Sequence, residues 1–556
     1  MTSRFAVAAA HPAVVAAGLE VLGAGGNAVD AAVAAAFTAF VVEPVSAGLG
    51  GYGRLSAYDV ETGRFRTVNH GPRAPLAATP DMFTPGELTG DDFWPEVEGR
   101  ANEVGARAVA VPGAVTGLAQ AHAQGGRLRF ADLLEPAIAE AERGIEVTWR
   151  IILPVARHLA AIRRLPAAAS YLLDGGDPPE PTAVTGRRLD GSALAQTLRR
   201  IQSGGPGAFT TGDVAAAIAR QVQAQGGLLT AADLAGYRPK TLAEEPARYR
   251  GWRYVTGHDH VGYETLQILA GMDPAGWDPG SAEHHHRLAC AMAAAFVDGA
   301  AWYGDPDYVA SPYAGLRSAE FAAARRAEIE RAAGPPTAGN PWRYEAGGAP
   351  AGVTAAAGGN RGRLDGTTQV SVVDADGSAV ALITTVGQDF GSLTYVPEVG
   401  VFLNSSMNNF DPRPGMPNSI APGKMPLFGV PCIVAANDAT GATLGIGGSG
   451  GWRILSGVVH TFVNLVQHRL PVSAAVAAPR SHCQGGPTSV DARLEPQIAA
   501  DLTARGHDVV AERSEPGAEP FARVSAVTSV PSDGERRAAA ASDPPWSTAA
   551  GAGPLS

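Results

Sequence analysis

The 556-residue sequence has few cysteines, few lysines and no long apolar run. Its three cysteines, Cys290, Cys432 and Cys483, are too widely separated to form a metal-binding motif or a disulfide framework, which fits a reducing compartment. Lys240 and Lys424 are the only lysines, so nearly all basic residues are arginines. Together with the abundant alanine, this bias indicates a GC-rich genome rather than a function.

Membranes and nucleic acids are excluded as partners by further absences. No run approaches the roughly 18 uninterrupted apolar residues of a membrane span. His11, Pro12 and Glu20 interrupt the N-terminal stretch, which therefore does not read as a secretory signal. The net charge of −11 comes with no basic block, which argues against nucleic-acid binding. We expect a cytoplasmic protein.

Composition allows one large folded core. Apolar residues make up 45% of the chain, and the 69 glycines and 42 prolines account for about one residue in five, below the level of a low-complexity sequence. No collagen-like period is present. The length by itself predicts three to four domains.

Helix and strand patterns alternate along the chain. The predicted helical regions are Pro12–Leu22, Asp30–Val42, 104–245, 283–300, 318–333 and Ile454–His468. Strands are predicted at Arg54–Tyr58, Ala379–Thr385 and Thr443–Ile446, and in the alternating run that begins at Thr367. Asp376-Gly377 between two alternating runs is typical of a hairpin turn. Residues 334–365 are rich in glycine, alanine and proline and predict a linker.

Two motifs have structural explanations that we prefer to functional ones. Gly48-x-Gly50-x-x-Gly53 matches a dinucleotide fingerprint, but a strand follows it instead of a helix, so a tight turn with close backbone approach is expected. His284, His285 and His286 are consecutive, and consecutive side chains on a helix point about 100° apart and do not converge on one ion. They predict a solvated helix start.

The segment Gly447-Gly-Ser-Gly-Gly451 has two possible roles. It matches G-x-S-x-G between a strand and a helix, and Asp491 with His482 or His507 could complete a triad around Ser449. Alternatively, glycines at a helix N-terminus expose N–H groups that hold an anion or oxyanion without any nucleophile.

Thr367 is a second candidate nucleophile. It lies where the glycine-rich linker meets a strand. Cleavage between Gly366 and Thr367 would give Thr367 a free α-amino group, with an ordinary pKa of about 7.7–8.0, which can serve as base for its own hydroxyl. On local spacing alone, an ordinary strand start explains Thr367 better than a nucleophile does.

The motif order resembles that of the gamma-glutamyltranspeptidase family of N-terminal-nucleophile hydrolases over nearly the whole chain. The markers, in family order, are Gly25-Gly-Asn-Ala-Val-Asp-Ala-Ala32, Val42-Glu-Pro-Val-Ser46, Gly48-Leu-Gly-Gly51, Val111-Pro-Gly113, Gly117-Leu118, Gly226-Gly-Leu-Leu-Thr-Ala-Ala-Asp-Leu234, Gly304-Asp-Pro306, Thr367-Thr368, Ser371-Val372, Asp374, Phe390-Gly391 and Gly450-Gly451. Each marker is weak by itself, but the ordered set is specific.

The resemblance implies catalytic roles and a cleavage site. Thr367 becomes the self-processing residue and then the nucleophile, with the cut between Gly366 and Thr367. Thr385 takes the place of a hydroxyl that orients the nucleophile, and Gly450 and Gly451 that of the oxyanion-hole glycines. Ser449 is then a bystander.

The resemblance also implies one fold made by two fragments instead of several domains. The expected fold is α+β, a four-layer αββα sandwich. Residues 1–366 form the large fragment, whose end at about 334–366 is a mobile linker, and residues 367–556 form the small fragment, with a loose tail at about 533–556. The two fragments remain together as a heterodimer. No metal or other cofactor is expected.

Departures from the family fall on substrate recognition. Gly71 stands where the family has an arginine for the glutamyl α-carboxylate, with Arg73 two residues later. Asn409 replaces the carboxylate that holds the α-ammonium group, and Ser406 replaces a glutamine. Phe428-Gly429 replaces a pair of serines. Gly387 and Gln369 replace an asparagine and a histidine.

A changed clamp predicts a changed substrate. Each charged hydrogen bond is worth about 1.5–3 kcal/mol, so losing several removes most of the preference for a γ-glutamyl zwitterion. We expect a small-molecule substrate contacted by Ser406, Asn409 and Phe428, with Arg73 and Arg453 as possible carboxylate holders and water or an amine as acceptor. Alternatives are a C–C bond hydrolase of actinomycete alkylproline biosynthesis, a serine hydrolase using Ser449, and a non-catalytic relative.

Overall fold

The computed structural model describes residues 3–87, 94–331, 336–350, 366–515, 520–543 and 549–552. The strands in these ranges are β1 (Ala6–Ala9), β2 (Tyr52–Asp59), β3 (Arg64–His70), β4 (Ile145–Glu146), β5 (Arg188–Leu189), β6 (Lys240–Ala243), β7 (Ala247–Tyr249), β8 (Trp252–Val255), β9 (Gly366–Val373), β10 (Ala379–Gly387), β11 (Tyr395–Val396), β12 (Val401–Phe402), β13 (Ile433–Ala436), β14 (Thr443–Ser449), β15 (Ser481–His482), β16 (Thr488–Asp491), β17 (Val509–Glu512), β18 (Arg523–Ser532), β19 (Glu535–Ser542) and β20 (Ala549–Ala552).

The helices cover much of the first two thirds of the chain. They are α1 (Pro12–Gly23), α2 (Ala28–Val42), α3 (Ala114–Gly125), α4 (Glu135–Arg143), α5 (Trp149–Arg157), α6 (Leu159–Ile162), α7 (Pro166–Leu172), α8 (Thr182–Thr185), α9 (Ser192–Gly204), α10 (Gly207–Thr210), α11 (Gly212–Ala224), α12 (Ala231–Gly236), α13 (His260–Ala270), α14 (Ala282–Trp302), α15 (Tyr313–Leu316), α16 (Ala319–Arg331), α17 (Ile454–Val466), α18 (Val472–Ala477) and α19 (Pro496–Ala504). Short 3-10 turns occur at Glu98–Arg100, Ala106–Ala108, Asp132–Leu134, Pro341–Tyr344, Ser406–Asn409 and Gly451–Arg453.

Two antiparallel sheets form the centre of the molecule. The larger has the order β20-β1-β9-β10-β2-β3-β6, and the smaller has the order β19-β18-β14-β13-β8-β7. Each sheet combines strands from both sides of the expected cut at Gly366. The two predicted fragments therefore share both central sheets instead of forming separate units.

Alternating side chains of the central strands enter two different cores. Val370 and Val372 of β9 belong to the outer core beneath the apolar helix α2. Ala381 and Ile383 of β10 point the other way, into a core shared with Ile446 of β14 and the helices α13, α14 and α17. Helices thus cover the outer face of each sheet. The prediction of an α+β, four-layer αββα sandwich is confirmed.

Local capping explains why α2 begins where it does. The Asn27 side chain accepts hydrogen bonds from the N–H groups of Val29 and Asp30, and the Asp30 carboxylate accepts from the Asn27 N–H, which makes a capping box. Asp30 also accepts from the Arg127 N–H at 3.0 Å. The glycine-glycine-asparagine sequence thus fixes both the helix start and its contact with a distant loop.

The predicted loose tail needs correction. Glu535–Ser542 pairs with β18, and Ala549–Ala552 pairs with β1, so the described part of residues 533–556 extends both sheets. Alanine-rich edge strands have little side-chain bulk and resemble a low-complexity tail in sequence.

The predicted linker is only partly described. Residues 334, 335 and 351–365 lie outside the described residues, whereas 336–350 are packed onto the helices. Trp342 is buried, and Trp302 Nε1 donates to the Gly339 carbonyl at 2.7 Å. In the described ranges, no helix has the length and apolar character needed to cross a bilayer.

Candidate active site

Thr367 lies in a row of polar side chains across the larger sheet. In the antiparallel register it is opposite Thr385 of β10, which is in turn opposite Tyr52 of β2. The three side chains therefore share the face that looks toward the second sheet. Thr367 is 2% exposed and belongs to the same continuous chain as Gly366 in this structure.

A hydrogen-bond relay connects the Thr367 hydroxyl to the preceding carbonyl group. Thr367 Oγ1 donates to Thr385 Oγ1 at 3.3 Å, and Thr385 Oγ1 donates to the Gly366 carbonyl oxygen in a short contact. The Gly387 N–H donates to Thr385 Oγ1 at 2.8 Å and fixes its position. One hydroxyl therefore contacts both the candidate nucleophile and the carbonyl group of the predicted cleavage site.

The position of Gly387 is fixed by its hydrogen bond to Thr385 and by its backbone conformation. The strand pairing shifts between Thr385 and Gly387, and Gly387 has φ = +90°. A Cβ at this position would lie 2.5 Å from Ser405 Oγ. The positive φ and the close Ser405 hydroxyl both favour glycine at the turn that aims the Gly387 N–H at Thr385.

The Gly450-Gly451 pair forms the turn between β14 and α17. Both glycines have positive φ values, +132° and +56°, which residues with side chains rarely adopt. Gly451 lines the same cavity as Thr367, while Gly450 lines a larger cleft beside Gly366. The pair separates the two spaces at the point where the nucleophile is located.

The cavity around Thr367 is small, about 20 Å³. It brings together four of the predicted site residues, Thr385, Asn409, Phe428 and Gly451. The other lining residues are Tyr52, Gly429, Val430, Trp452 and Ile454. The cavity combines hydroxyl groups on one side with aromatic and aliphatic surface on the other.

Phe428 fills the space where the family's arginine would lie. A Cβ on Gly71 would come within 2.4 Å of the Phe428 ring, so the two departures from the family pattern compensate each other. The ring also makes an edge-to-face contact with Tyr52, with ring centroids 5.6 Å apart. The recognition side of the cavity has therefore been repacked as an aromatic cluster.

The buried guanidinium group of Arg54 packs against this aromatic cluster. The Arg54 guanidinium lies 4.2 Å from the centroid of Phe428 and is 3% exposed. Its nearest carboxylate, on Asp259, is 3.8 Å away. Burial raises the pKa of Asp259 and lowers that of the neighbouring His260 to about 3, and the Arg54 charge opposes the first shift and adds to the second.

Asn409 and Ser406 lie on one 3-10 turn beside the cavity. Asn409 Nδ2 donates to the Tyr52 hydroxyl oxygen at 3.0 Å. Ser406 is fully buried and its N–H donates to Asn404 Oδ1. Asn409 thus presents a neutral amide to the cavity, while Ser406 is not among the residues that line it.

Arg73 and Arg453 are engaged away from the Thr367 cavity. Arg73 Nη1 donates to the Gly423 carbonyl at 3.0 Å, and its backbone pairs with Val111. Arg453 Nη2 lies 3.2 Å from a carboxylate oxygen of Glu512. Neither arginine is among the described residues that line the cavity.

Ser449 does not meet the histidines proposed for a triad. Its Oγ accepts a hydrogen bond from Arg523 Nε at 3.1 Å. The two ring nitrogens of His482 contact Ser456 Oγ and Gln484 Oε1, each at 3.0 Å. The geometry favours the bystander interpretation of Ser449.

The expectation of a solvated start for α14 is wrong for two of the three histidines. His284 and His285 are buried, with exposures of 1% and 0%. His284 Nδ1 accepts from Trp277 Nε1 at 3.0 Å, and His285 Nδ1 lies 3.0 Å from Ser481 Oγ. A partner seven residues away stabilises His284 in the interior, and a partner 196 residues away stabilises His285.

The Gly48–Gly53 turn agrees with its structural interpretation. The Gly51 N–H donates to the Gly48 carbonyl at 3.0 Å, and a Cβ on Gly51 would lie 2.4 Å from the Thr385 carbonyl oxygen. A Cβ on Gly53 would be 2.1 Å from the Ile383 carbonyl oxygen. These glycines let β2 approach the strand that carries Thr385.

A cleft of about 560 Å³ opens on the Gly366 side. Glu43 lines it, and its carboxylate oxygens accept from Thr368 Oγ1 at 3.0 and 3.1 Å. Burial raises the pKa of Glu43, which the Arg150 charge and the Thr368 hydrogen bond partly offset. The residue after the candidate nucleophile is therefore anchored by a carboxyl group.

Sequence reasoning missed several residues of the site. Tyr52, Arg54 and Trp452 were not selected, and Glu43 was noted only as part of a family marker. Alternation along β2 places Tyr52 and Arg54 on one face, which was a usable signal. The positions of Trp452 and Phe428 depend on loops from different parts of the chain, and no local pattern brings them together.

Comparisons with known proteins cover nearly the whole chain. The family model described as Gamma-glutamyltranspeptidase matches residues 15–552. The acylase ACY 1 proenzyme of Pseudomonas sp. (strain SE83) is 36% identical over 516 residues, 91% of this chain and 88% of that protein. The glutathione hydrolase proenzyme of Bacillus subtilis (strain 168) is 32% identical, covering 85% and 80%. The crystal structure of cephalosporin acylase from Bacillus halodurans gives a TM-score of 0.83 at 26% identity, covering 99% and 96%.

Proposed function

Because the chain belongs to the gamma-glutamyltranspeptidase family of N-terminal-nucleophile hydrolases, we propose that it is a self-cleaving threonine hydrolase with Thr367 as nucleophile. The observation that carries this proposal is the relay from Thr367 Oγ1 through Thr385 Oγ1 to the Gly366 carbonyl oxygen. It places a hydroxyl donor on the carbonyl group that self-cleavage has to attack.

Self-cleavage then needs only groups that are already in place. Thr367 Oγ attacks the Gly366 carbonyl carbon, and the developing oxyanion accepts the hydrogen bond from Thr385. The C–N bond breaks, the Thr367 nitrogen takes the hydroxyl proton, and an ester remains on Thr367. Water hydrolyses this ester, which leaves a Gly366 carboxylate and a free Thr367 α-amino group.

The processed enzyme uses the same threonine on its substrate. The α-amino group takes the Oγ proton, Oγ attacks the substrate carbonyl, and the N–H groups of Gly450 and Gly451 stabilise the oxyanion. The leaving amine is protonated and departs, and water or an amine releases the acyl group. When the Gly366 carboxylate moves away after cleavage, the Thr367 cavity opens into the neighbouring cleft. The substrate's acyl group can then reach Thr367 through that cleft.

The acyl group we propose is one without a γ-glutamyl α-ammonium group. Asn409 supplies a neutral amide where the family has a carboxylate, and Phe428 with Trp452 supplies apolar surface. Among the similar proteins, two are named acylases, one of them a cephalosporin acylase. We therefore propose N-acyl amides as the substrate class.

Denaturing gels and intact mass measurement test the nucleophile. We expect the purified protein to give two fragments, one ending at Gly366 and one beginning at Thr367, in place of a single chain of 56.8 kDa. Thr367→Ala should remain one inactive chain, because it lacks the attacking oxygen. Thr367→Ser should process and turn over, since it keeps that oxygen.

Ser449→Ala is the matched control. It should process and hydrolyse p-nitroanilides of simple acyl groups like the unchanged protein. An active, unprocessed full-length chain would contradict the proposal, and so would activity that disappears in Ser449→Ala but persists in Thr367→Ala. Processed protein that is inactive on all amides would contradict the amide-hydrolase assignment and favour the C–C bond or the non-catalytic alternative.

A further inference from the structure

Three side chains that can bind a metal meet outside the lining of the Thr367 cavity. His286 and Cys290 lie one turn apart on α14, on the same helix face. His507 is in the turn between α19 and β17, 221 residues from His286 in the chain. One ligand atom of each side chain lies within 4.8 Å of those of the other two. The cluster does not form a sequence motif, because His507 is so far from His286 and Cys290 in the chain.

The distances are close to those of a tetrahedral zinc site. His286 Nδ1 lies 2.8 Å from His507 Nε2 and 3.7 Å from Cys290 Sγ. With Zn–N of about 2.0–2.1 Å and Zn–S of about 2.3 Å, tetrahedral angles require about 3.3 Å between nitrogens and about 3.6 Å between nitrogen and sulfur. The two imidazole nitrogens would have to move about 0.5 Å apart, whereas the distance from His286 Nδ1 to Cys290 Sγ already fits.

A second contact orients one of the ligands. His507 Nδ1 lies 3.0 Å from Thr488 Oγ1, so a proton on Nδ1 leaves the Nε2 lone pair facing His286. Thr488 belongs to β16, which is paired with the strand that follows His507. The imidazole is therefore held on both sides in the arrangement common for metal-binding histidines.

The surroundings leave room for a further ligand. The three side chains line a cavity of about 670 Å³, together with Cys483, Arg505 and other residues. Arg505 is a positive charge near the two imidazoles, and it is paired with Glu283. The Cys483 thiol is directed to the Gly486 carbonyl oxygen, 3.5 Å away, and is not part of the set of three.

We propose that His286, Cys290 and His507 bind one zinc ion, with its fourth position open to the cavity for water or a small anion. Neutral imidazole and thiolate donors suit zinc better than magnesium or calcium, which prefer oxygen. The Cys290 thiol gives up its proton when the ion binds. Since His286 and Cys290 precede the expected cut and His507 follows it, the ion also joins the two fragments.

Zinc titration of metal-free protein tests the site. Full-length protein is treated with a chelator, dialysed and titrated with zinc in competition with a chromophoric chelator. We expect one equivalent to bind with submicromolar affinity, and cobalt(II) to give a thiolate-to-metal charge-transfer band. The zinc affinity of Cys290→Ser and of His507→Ala should each be about 100-fold lower or more, because even changing a residue that only orients a ligand lowers metal affinity about 10–100-fold.

Cys432→Ala is the control, since it removes a buried thiol that lies outside this cavity, and it should bind zinc normally. Circular dichroism verifies that each variant is folded. The proposal is overturned if the unchanged protein binds no zinc at micromolar concentration, or if Cys290→Ser and His507→Ala bind as tightly as it does. The uncut Thr367→Ala chain should bind zinc as well, so a failure of the threonine mechanism and a failure of this site give different results.

Discussion

The two sides of the Thr367 cavity are built in different ways. The nucleophile wall, formed by Thr367, Thr385 and Gly451, is fixed by strand register and by a turn with positive φ. The recognition wall, formed by Asn409, Phe428 and Trp452, comes from two 3-10 turns and a loop and is held by side-chain contacts. The first wall matches the family motifs, and the second departs from them.

The two walls differ in how readily their side chains can be substituted. Moving a group on the nucleophile wall means changing the pairing of the central sheet, because adjacent strands fix each side chain. The recognition wall is altered by exchanging side chains that compensate each other, as Phe428 and Gly71 do. A relative can therefore keep one reaction and change its substrate.

Thr385→Val should have the largest of the three effects considered for the two walls. The valine keeps the shape of the side chain but removes the donor to the Gly366 carbonyl and the acceptor for Thr367 Oγ1. Loss of one oxyanion donor costs about 10²–10³ in rate. The rate of self-cleavage, followed by gel after synthesis in a cell-free system, should fall by about that factor.

Thr443→Val is the control for this experiment. Thr443 is also a buried threonine in the central sheets, but its hydroxyl donates to the Gly377 carbonyl, outside the site. It should process at the normal rate. Equal rates for Thr385→Val and the unchanged chain would show that the relay is not used.

The nucleophile wall could be predicted from sequence, but the recognition wall could not be assembled from it. Thr367 and Thr385 belong to motifs on paired strands, so their relative position follows from the strand register. Gly451 belongs to a glycine motif at the end of a strand of the facing sheet. Predicting Arg453 as a carboxylate holder required knowing its surroundings, and the structure pairs it with Glu512. Arg54 went unnoticed because a charged residue in a strand is usually exposed.

Acid should destabilise the fold next to the recognition wall, because His70 is buried and its neighbour Gly71 packs against Phe428. His70 precedes Gly71 and its pKa is lowered from 6.5 to about 4, mainly by burial. Its Nε2 has no hydrogen-bond partner among the described residues. The unfolded chain takes up this proton below pH 6.5 and the folded chain only near pH 4, so stability is complete above 6.5 and falls as the pH drops toward 4.

Because of His70, the free energy of unfolding should fall by about 2 kcal/mol between pH 8 and pH 5. It is measured by urea unfolding of the uncut Thr367→Ala chain, so that one polypeptide unfolds. His70→Asn in the same background should be spared this loss over the same pH range, whatever its stability at pH 8, because asparagine does not titrate. The three nucleophile-wall residues do not titrate in the uncut chain. If the free energy of unfolding of His70→Asn falls with pH as steeply as that of the Thr367→Ala chain, His70 does not make the recognition side more sensitive to acid.

Asn409→Asp should have the smallest effect and gives the sharpest test of the recognition wall. The aspartate restores the family's carboxylate beside Tyr52, where Asn409 Nδ2 now donates to the Tyr52 hydroxyl oxygen. A charged hydrogen bond is worth about 1.5–3 kcal/mol, and without the rest of the clamp we expect the lower end, about tenfold. The γ-glutamyl and glutaryl p-nitroanilides differ only in the α-ammonium group, so the ratio of their kcat/KM values isolates this interaction.

That ratio should rise about tenfold in Asn409→Asp in favour of the γ-glutamyl compound. Asn437→Asp changes an asparagine in the turn between β13 and β14, outside the cavity lining, and should leave the ratio unchanged. Self-cleavage should proceed normally in Asn409→Asp, because the relay at Thr367 contains no contact with Asn409. If the ratio stays constant, the ammonium group does not reach position 409, and the acyl group lies in a different direction from that of the γ-glutamyl enzymes. If self-cleavage fails as well, the two walls are not independent, because a side chain on the recognition wall then controls the chemistry of the other.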